Sequence, residues 1–194
     1  MEFWIFLGII ALIAMFIIGL YNRLIALRQT RKNAFSDIDV QLKQRFNLVP
    51  QLVETVKGYA KHEKETFQNV TNARAGVADA TQGQGGAGGP DPSRIKAENA
   101  LGGALLNLFA VAENYPDLKA DQNFQRLMAE LSDIENKIAA ARRFFNSATN
   151  EFNTAVQQFP SNIIANMFKF SEEPFFEVEE ALREAVNKTP EVKF

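Results

Sequence analysis

The chain has 194 residues, with 21 Lys and Arg against 23 Asp and Glu, a single histidine and no cysteine. This near-neutral balance gives no basis for general nucleic-acid binding. The missing cysteines remove disulfides, thiolate chemistry and sulfur metal ligands, and one histidine cannot build a His-rich zinc site.

Residues 3–22, FWIFLGIIALIAMFIIGLYN, carry no charge. At 1.5 Å per residue they span about 30 Å, the thickness of a hydrocarbon core. The segment is apolar all round rather than striped, as suits a helix facing lipid. Trp4 and Tyr21 stand near its two ends, where amphipathic rings favour the interface. A signal peptide needs a basic start and a small-residue cleavage site. Here Glu2 precedes the span and YNRL follows it, so the reading is an uncleaved transmembrane anchor over 1–22. Arg23, Arg28, Arg31 and Lys32 precede the first downstream acid, Asp37. Basic flanks stay on the cytoplasmic side. The expected topology is a short N-terminus outside and the rest in the cytoplasm, with those four cations at the membrane interface.

The next stretch steps by seven through Phe35, Leu42, Val49, Val56, Glu63, Val70 and Val77, and only Glu63 is polar. A second row reads Phe46, Val53, Ala60 and Phe67. Together they predict one continuous apolar stripe from about Phe35 to Val77. Pro50 interrupts it chemically, since proline in a helix interior costs about 3 kcal/mol and one backbone hydrogen bond. The phase does not slip there. The expectation is therefore a bend within one long helix that frees the Phe46 carbonyl. The alternative is a break at Asn47 with a new helix starting near Pro50.

TQGQGGAGGPDP, from Thr81, is the one low-complexity stretch and reads as a flexible loop over 81–90. No Lys follows its glycines, as a phosphate-binding loop requires. A shorter helix is expected to start with Asp91 as N-cap and Pro92 at the first position. Its face is Ile95, Leu101, Leu105, Leu108 and Ala112, and it stops at Tyr115–Pro116. The following helix begins at Asp117 or Asp121. Its stripe is Phe124, Leu131, Ile138, Phe145, Phe152 and Phe159, with Leu127, Ile134, Ala141, Ala148 and Ala155 beside it. Large rings alternating with alanines allow close approach of a facing helix. Glu135 flanks this stripe and is expected to pair with Arg142 or Arg45.

Beyond it, a short helix from Ser161 or Asn162 to about Met167 precedes a proline-broken aromatic patch. Phe168, Phe170, Phe175 and Phe176 need cover. They either close the end of the helical domain or form a contact surface. Together with Pro50 they are the candidate self-association or partner-contact residues. His62 sits beside Glu63 and Glu65, but neighbours on one helix face apart, so it reads as a surface histidine. No catalytic, cofactor or metal site is assigned.

The blocks YNRLIALR, DIDVQLKQRFNLVPQLVETVKGYAKHE, ENYPDLKADQNFQRL, IENKIAAARRFFN and FNTAVQQFPSNIIANMFKF, in this order, resemble the LemA family. They cover the chain from the anchor to about Phe176, and the block over 37–63 is the most specific. The resemblance implies a single-span bacterial inner-membrane protein with an all-helical cytoplasmic domain and no defining enzymatic activity. Family members are associated with membrane stress and membrane proteases, and a related protein with magnetosome membranes. No residue role carries over, because the family has no agreed catalytic or binding motif.

The combined expectation is an all-α chain. An N-terminal transmembrane helix leads into an elongated antiparallel helical bundle of three to four long helices, the first kinked at Pro50. The domain limits are 1–22 for the anchor, 23–176 for the bundle and 177–194 for a C-terminal tail. The expected function is a non-enzymatic structural or assembly protein that self-associates, in membrane organisation or envelope stress. An adaptor for another membrane protein, such as a protease or sensor kinase, is the alternative. Membrane lipid and further copies of the chain are the expected partners. Neither cofactors nor nucleic acid are expected.

Overall fold

The computed structural model describes residues 1–82 and 91–176. Most of the Gly-rich stretch and all of the 177–194 tail lie outside them, with the expectations made there. Among the described residues the chain is all helical: α1 (Glu2–Tyr59), α2 (Lys64–Gln82), α3 (Pro92–Glu113), α4 (Pro116–Ala120), α5 (Gln122–Gln157) and α6 (Ser161–Met167).

Helix α1 has 58 residues and is about 87 Å long. Its first part is long and apolar enough to cross a membrane, and the protein covers none of that apolar window. The helix continues from there into the domain core without interruption. It also passes through Pro50 unbroken, so the break at Asn47 does not occur.

The stripe expected to continue to Val77 is broken elsewhere. Helix α1 ends at Tyr59, and the Ala60 N–H closes the last turn on the Val56 carbonyl. The chain turns through Ala60–Glu63, and α2 doubles back along α1. Lys57 lies over the Phe67 ring and Arg74 over the Phe46 ring. The turn is about as long as one helical turn, so counting by sevens runs through it without slipping. Both helices bury their rows in one core, and continuity of phase was no evidence for continuity of helix.

Helix α5 packs antiparallel to α1. Arg31 meets Thr149, Arg45 meets Glu135 and Tyr59 meets Asp121. Fourteen residues forward on α1 match fourteen back on α5 at each step, and this register holds across Pro50. Helix α3 packs on α2 and runs parallel to α1, linking Asp39 to Arg94 and Arg45 to Glu98. The core holds Leu42, Val49, Leu52 and Val56 of α1, Leu101, Leu105 and Leu108 of α3, and Leu127, Leu131, Ile138 and Phe145 of α5. The helix starts follow their caps: Asp91 accepts from the Ser93 and Arg94 N–H groups, and Asp121 from that of Phe124. The α5 stripe is buried as far as Phe152, but Phe159 lies past the helix end and is exposed.

Asp121 does two jobs. Its carboxylate caps α5 through the Phe124 N–H at 2.8 Å and accepts the Tyr59 hydroxyl at 3.0 Å. The Phe124 N–H and then the Tyr59 hydroxyl hold its pKa below the ordinary value. A carboxyl depressed in the folded state stabilises above its unfolded value of about 3.9, and that contribution is lost as pH falls through the folded value. Asp121→Asn keeps a capping oxygen but cannot titrate. On acidification below about pH 4, the urea midpoint of the native chain is expected to fall more steeply than that of Asp121→Asn. Parallel curves would show that Asp121 is not coupled to folding.

Candidate functional site

Two buried arginines on α1 organise the chemistry of the domain. Leu24, Arg31, Ile38, Arg45 and Leu52 lie on one heptad row, and all five are buried. Arginine replaces an aliphatic residue at every second step, and each places a charge where the row needs a partner.

The inner layer surrounds Arg45. Its guanidinium donates to the Glu98 carboxylate at 2.6 Å, to the Glu98 carbonyl at 3.1 Å and to the Glu135 carboxylate at 2.8 Å. Burial works against its charge, but Glu135 and Glu98 outweigh that, and its pKa is raised. Glu98 is 2% exposed. Arg142 stands in the same layer, with its pKa lowered by burial and then by the Arg45 charge, and its guanidinium lies 4.6 Å from the Phe176 ring centre. The expected pairing of Glu135 resolves to Arg45. Glu98 was not anticipated, although it stands seven residues before Leu105, on an otherwise apolar face.

The outer layer surrounds Arg31, which was expected at the membrane interface. It lies inside the domain instead, 4% exposed. It donates to the Thr149 hydroxyl and to the Pro174 carbonyl, each at 3.1 Å, and pairs with Glu173 at 3.3 Å. Its pKa is lowered by burial, partly offset by Glu173. The anchoring partner is the extended segment 171–176, which follows α6 and lies along α5. Asn153 pairs with both backbone groups of Glu173, each bond 2.9 Å. Asn146, one heptad earlier, does the same for Phe176, at 3.2 and 2.8 Å. The two amides stand in for a neighbouring β-strand. Asn146, Thr149 and Asn153 at i, i+3 and i+7 were the sequence signal for this seat, and sequence reasoning missed it.

The aromatic candidates separate accordingly. Phe176 is buried edge-on against Phe145. Phe170 is half-buried between Tyr21 and Phe152. Phe168 and Phe175 remain exposed. Among the interface candidates, Trp4, Arg23, Arg28 and Lys32 are exposed and Tyr21 is half-buried.

Pro50 is half-buried between the buried Val49 and Leu52. The carbonyl that it frees, that of Phe46, accepts the Arg74 Nε–H of α2 at 3.2 Å. The same guanidinium sits 3.9 Å from the Phe46 ring centre. The proline turns a helix-internal acceptor into a docking point for α2.

A cleft of about 330 Å³ lies between α1, α2 and α3, beside Asp39, Lys43, Phe46, Val77, Arg94 and Glu98. Asp39 is already paired with Arg94, and Glu98 with Arg45. His62 is exposed in the turn before α2. No group of three or more His, Asp or Glu among the described residues could hold a metal ion.

Comparison with known proteins gives a consistent setting. Magnetosome protein MamQ 2 of Paramagnetospirillum magneticum (strain ATCC 700264 / AMB-1) is 25% identical over 189 residues, covering 88% of this chain and 69% of the relative. Magnetosome protein MamQ of Magnetospirillum gryphiswaldense is 25% identical over 174 residues, covering 80% of this chain and 64% of the relative. Protein LemA of Metamycoplasma hominis is 26% identical over 167 residues, covering 86% and 73%. These relatives and the long apolar helix fit a membrane-associated protein. The LemA family model matches residues 34–194, most of the chain, and on that match the chain belongs to the LemA family.

Proposed function

We propose that this protein is a membrane-anchored, non-enzymatic structural or assembly protein that self-associates through an elongated antiparallel bundle. In this reading the span lies in the bacterial inner membrane, with the N-terminus outside and the bundle in the cytoplasm. The observation that carries it is the single helix from Glu2 to Tyr59. A helix shared by span and core couples the domain stiffly to the bilayer. A flexible tether would let a catalytic or binding module search for its target, whereas a stiff rod holds its side faces at fixed height for lateral contact. The polar layers support the same reading, because Arg45 and Arg31 are paired inside the fold and set the register of α1 against α5. Two of the relatives are named magnetosome proteins, which suits a role in organising a membrane structure.

The full-length chain in mild detergent is expected to migrate as a multimer by native mass measurement at micromolar protein. A monomer under those conditions overturns self-association. Topology is read separately from single cysteines in a chain that has none. Glu2→Cys is expected to react with an impermeant maleimide from outside, and His62→Cys only after lysis. The reverse pattern inverts the topology.

A further inference from the structure

The chain leaves α5 at Gln157, turns at Phe159–Pro160 and runs α6 back against α1. One side of this corner is taken up by the fold. Ile164 and Ala165 are buried with Leu24 and Ala155, and Ile17, Leu20, Tyr21 and Leu27 pack against them. Among the described residues the other side is exposed: Phe159 is 75% exposed, Ile163 52%, Met167 63% and Phe168 50%.

The height of the corner decides what covers it. The uncharged segment of α1 runs from Phe3 to Asn22. The corner packs on α1 from Ile17 onward, so it overlaps the last turn and a half of that segment. The Phe168 ring lies 4.7 Å from that of Tyr21, and Phe170 lies 5.9 Å from it. Tyrosine at the end of a span sits at headgroup level, and the rings beside it share that depth.

We propose that the α5–α6 corner is a second membrane contact. Phe159, Ile163, Met167 and Phe168 enter the boundary between headgroups and acyl chains, in the leaflet from which α1 emerges. The occupant is the bilayer because the patch is continuous with the lipid-facing surface of the span. Charge does not select it. Arg23 and Glu151 line one cleft beside the corner, Arg28 lies over Phe170, and Lys169 and Glu172 stand on either side of Phe170 in the chain. Burial of apolar surface drives insertion, which is therefore the same in zwitterionic and anionic membranes. Attachment at two points fixes the tilt of α1 and stops the domain from rotating about its anchor. This inference rests on the membrane anchor of the proposed function and not on self-association.

The test places an environment-sensitive fluorophore on Ile163→Cys, Met167→Cys or His62→Cys in the full-length chain. The chains are reconstituted in phosphatidylcholine vesicles with and without phosphatidylglycerol. Lipids bearing a shallow nitroxide are expected to quench positions 163 and 167 severalfold more than position 62, in both compositions. Equal quenching at all three positions overturns the inference, as does quenching that requires phosphatidylglycerol. Fluorophores at 163 and 167 shielded from aqueous iodide but untouched by lipid nitroxide also overturn it, because a second copy then covers the corner. Trp4, the only tryptophan, reports the anchor independently. If brominated acyl chains quench Trp4 while the corner stays unquenched, the inference fails alone. If Trp4 is not quenched, the anchor fails and takes the inference with it.

Discussion

Arg45→Met is expected to destabilise the helical domain by about 3–5 kcal/mol, the cost of stranding a buried carboxylate. Methionine matches the length of the arginine stem and leaves little void. The loss falls on Glu98, whose side chain is 2% exposed and bonded to Arg45 at 2.6 Å. Glu135 is different. Its side chain is 44% exposed, so water solvates it when Arg45 is gone, and Glu135→Gln is expected to cost no more than about 1 kcal/mol. The order of effects separates a buried pair from a surface one. The double variant Arg45→Met, Glu98→Leu removes both charges, and buried pairs replaced by packed apolar groups are often neutral or stabilising. It should therefore recover most of the loss. Urea unfolding followed by helical circular dichroism measures all three. A double variant as unstable as Arg45→Met would show that the layer contributes packing that Met and Leu cannot replace.

The apolar periodicity revealed the elements but not the charges inside them. Phe124 to Phe152 and Leu101 to Leu108 were legible because a buried helical face repeats every three or four residues. Arg31, Arg45 and Glu98 occupy that same face, yet by residue type they read as surface. Ordinary statistics place Arg and Glu outside unless they are paired, and the partners here lie far away in the chain, Glu98 and Glu135 on other helices and Glu173 in the segment after α6. Arg31 was misplaced for a further reason. Counting cations after an apolar span says which side they are on, not whether they stay in contact with lipid. Only continuing the Leu24 row by sevens would have shown Arg31 turning inward. The seat for segment 171–176 was harder to see. Its backbone partners carry no side-chain signature, and Asn146 and Asn153 look like any polar residues at the edge of a stripe. The turn at Ala60–Glu63 escaped because its length preserved the phase, whereas Pro50, the obvious breaker, broke nothing.

Pro50→Ala is expected to raise stability by about 1–2 kcal/mol. Proline in a helix interior is about 3 kcal/mol worse than alanine, but here part of that cost has been recovered. The Phe46 carbonyl, deprived of a donor four residues on, accepts from Arg74. A neutral bond of this kind contributes about 1 kcal/mol and one from a charged donor about 1.5–3. Alanine restores an N–H that competes for the same oxygen, so the helix gains while the docking of α2 loses. The two residues are therefore coupled. Arg74→Leu in the native chain should cost about 1–3 kcal/mol, from the lost bond and the lost stacking on Phe46. In the Pro50→Ala background it should cost about 1 kcal/mol less, because the helix now satisfies that carbonyl itself. A double-mutant cycle on urea midpoints reads the coupling directly. Additivity within about 0.5 kcal/mol would mean that Arg74 is held by the Phe46 ring alone, and that the carbonyl freed by the proline does not hold α2. With coupling, the proline is the residue that strengthens the hold of a second helix on the backbone of the long helix running from the apolar segment into the domain. Without the proline, the Phe46 carbonyl is shared with an intrahelical N–H, and the bond from Arg74 that docks α2 is weakened.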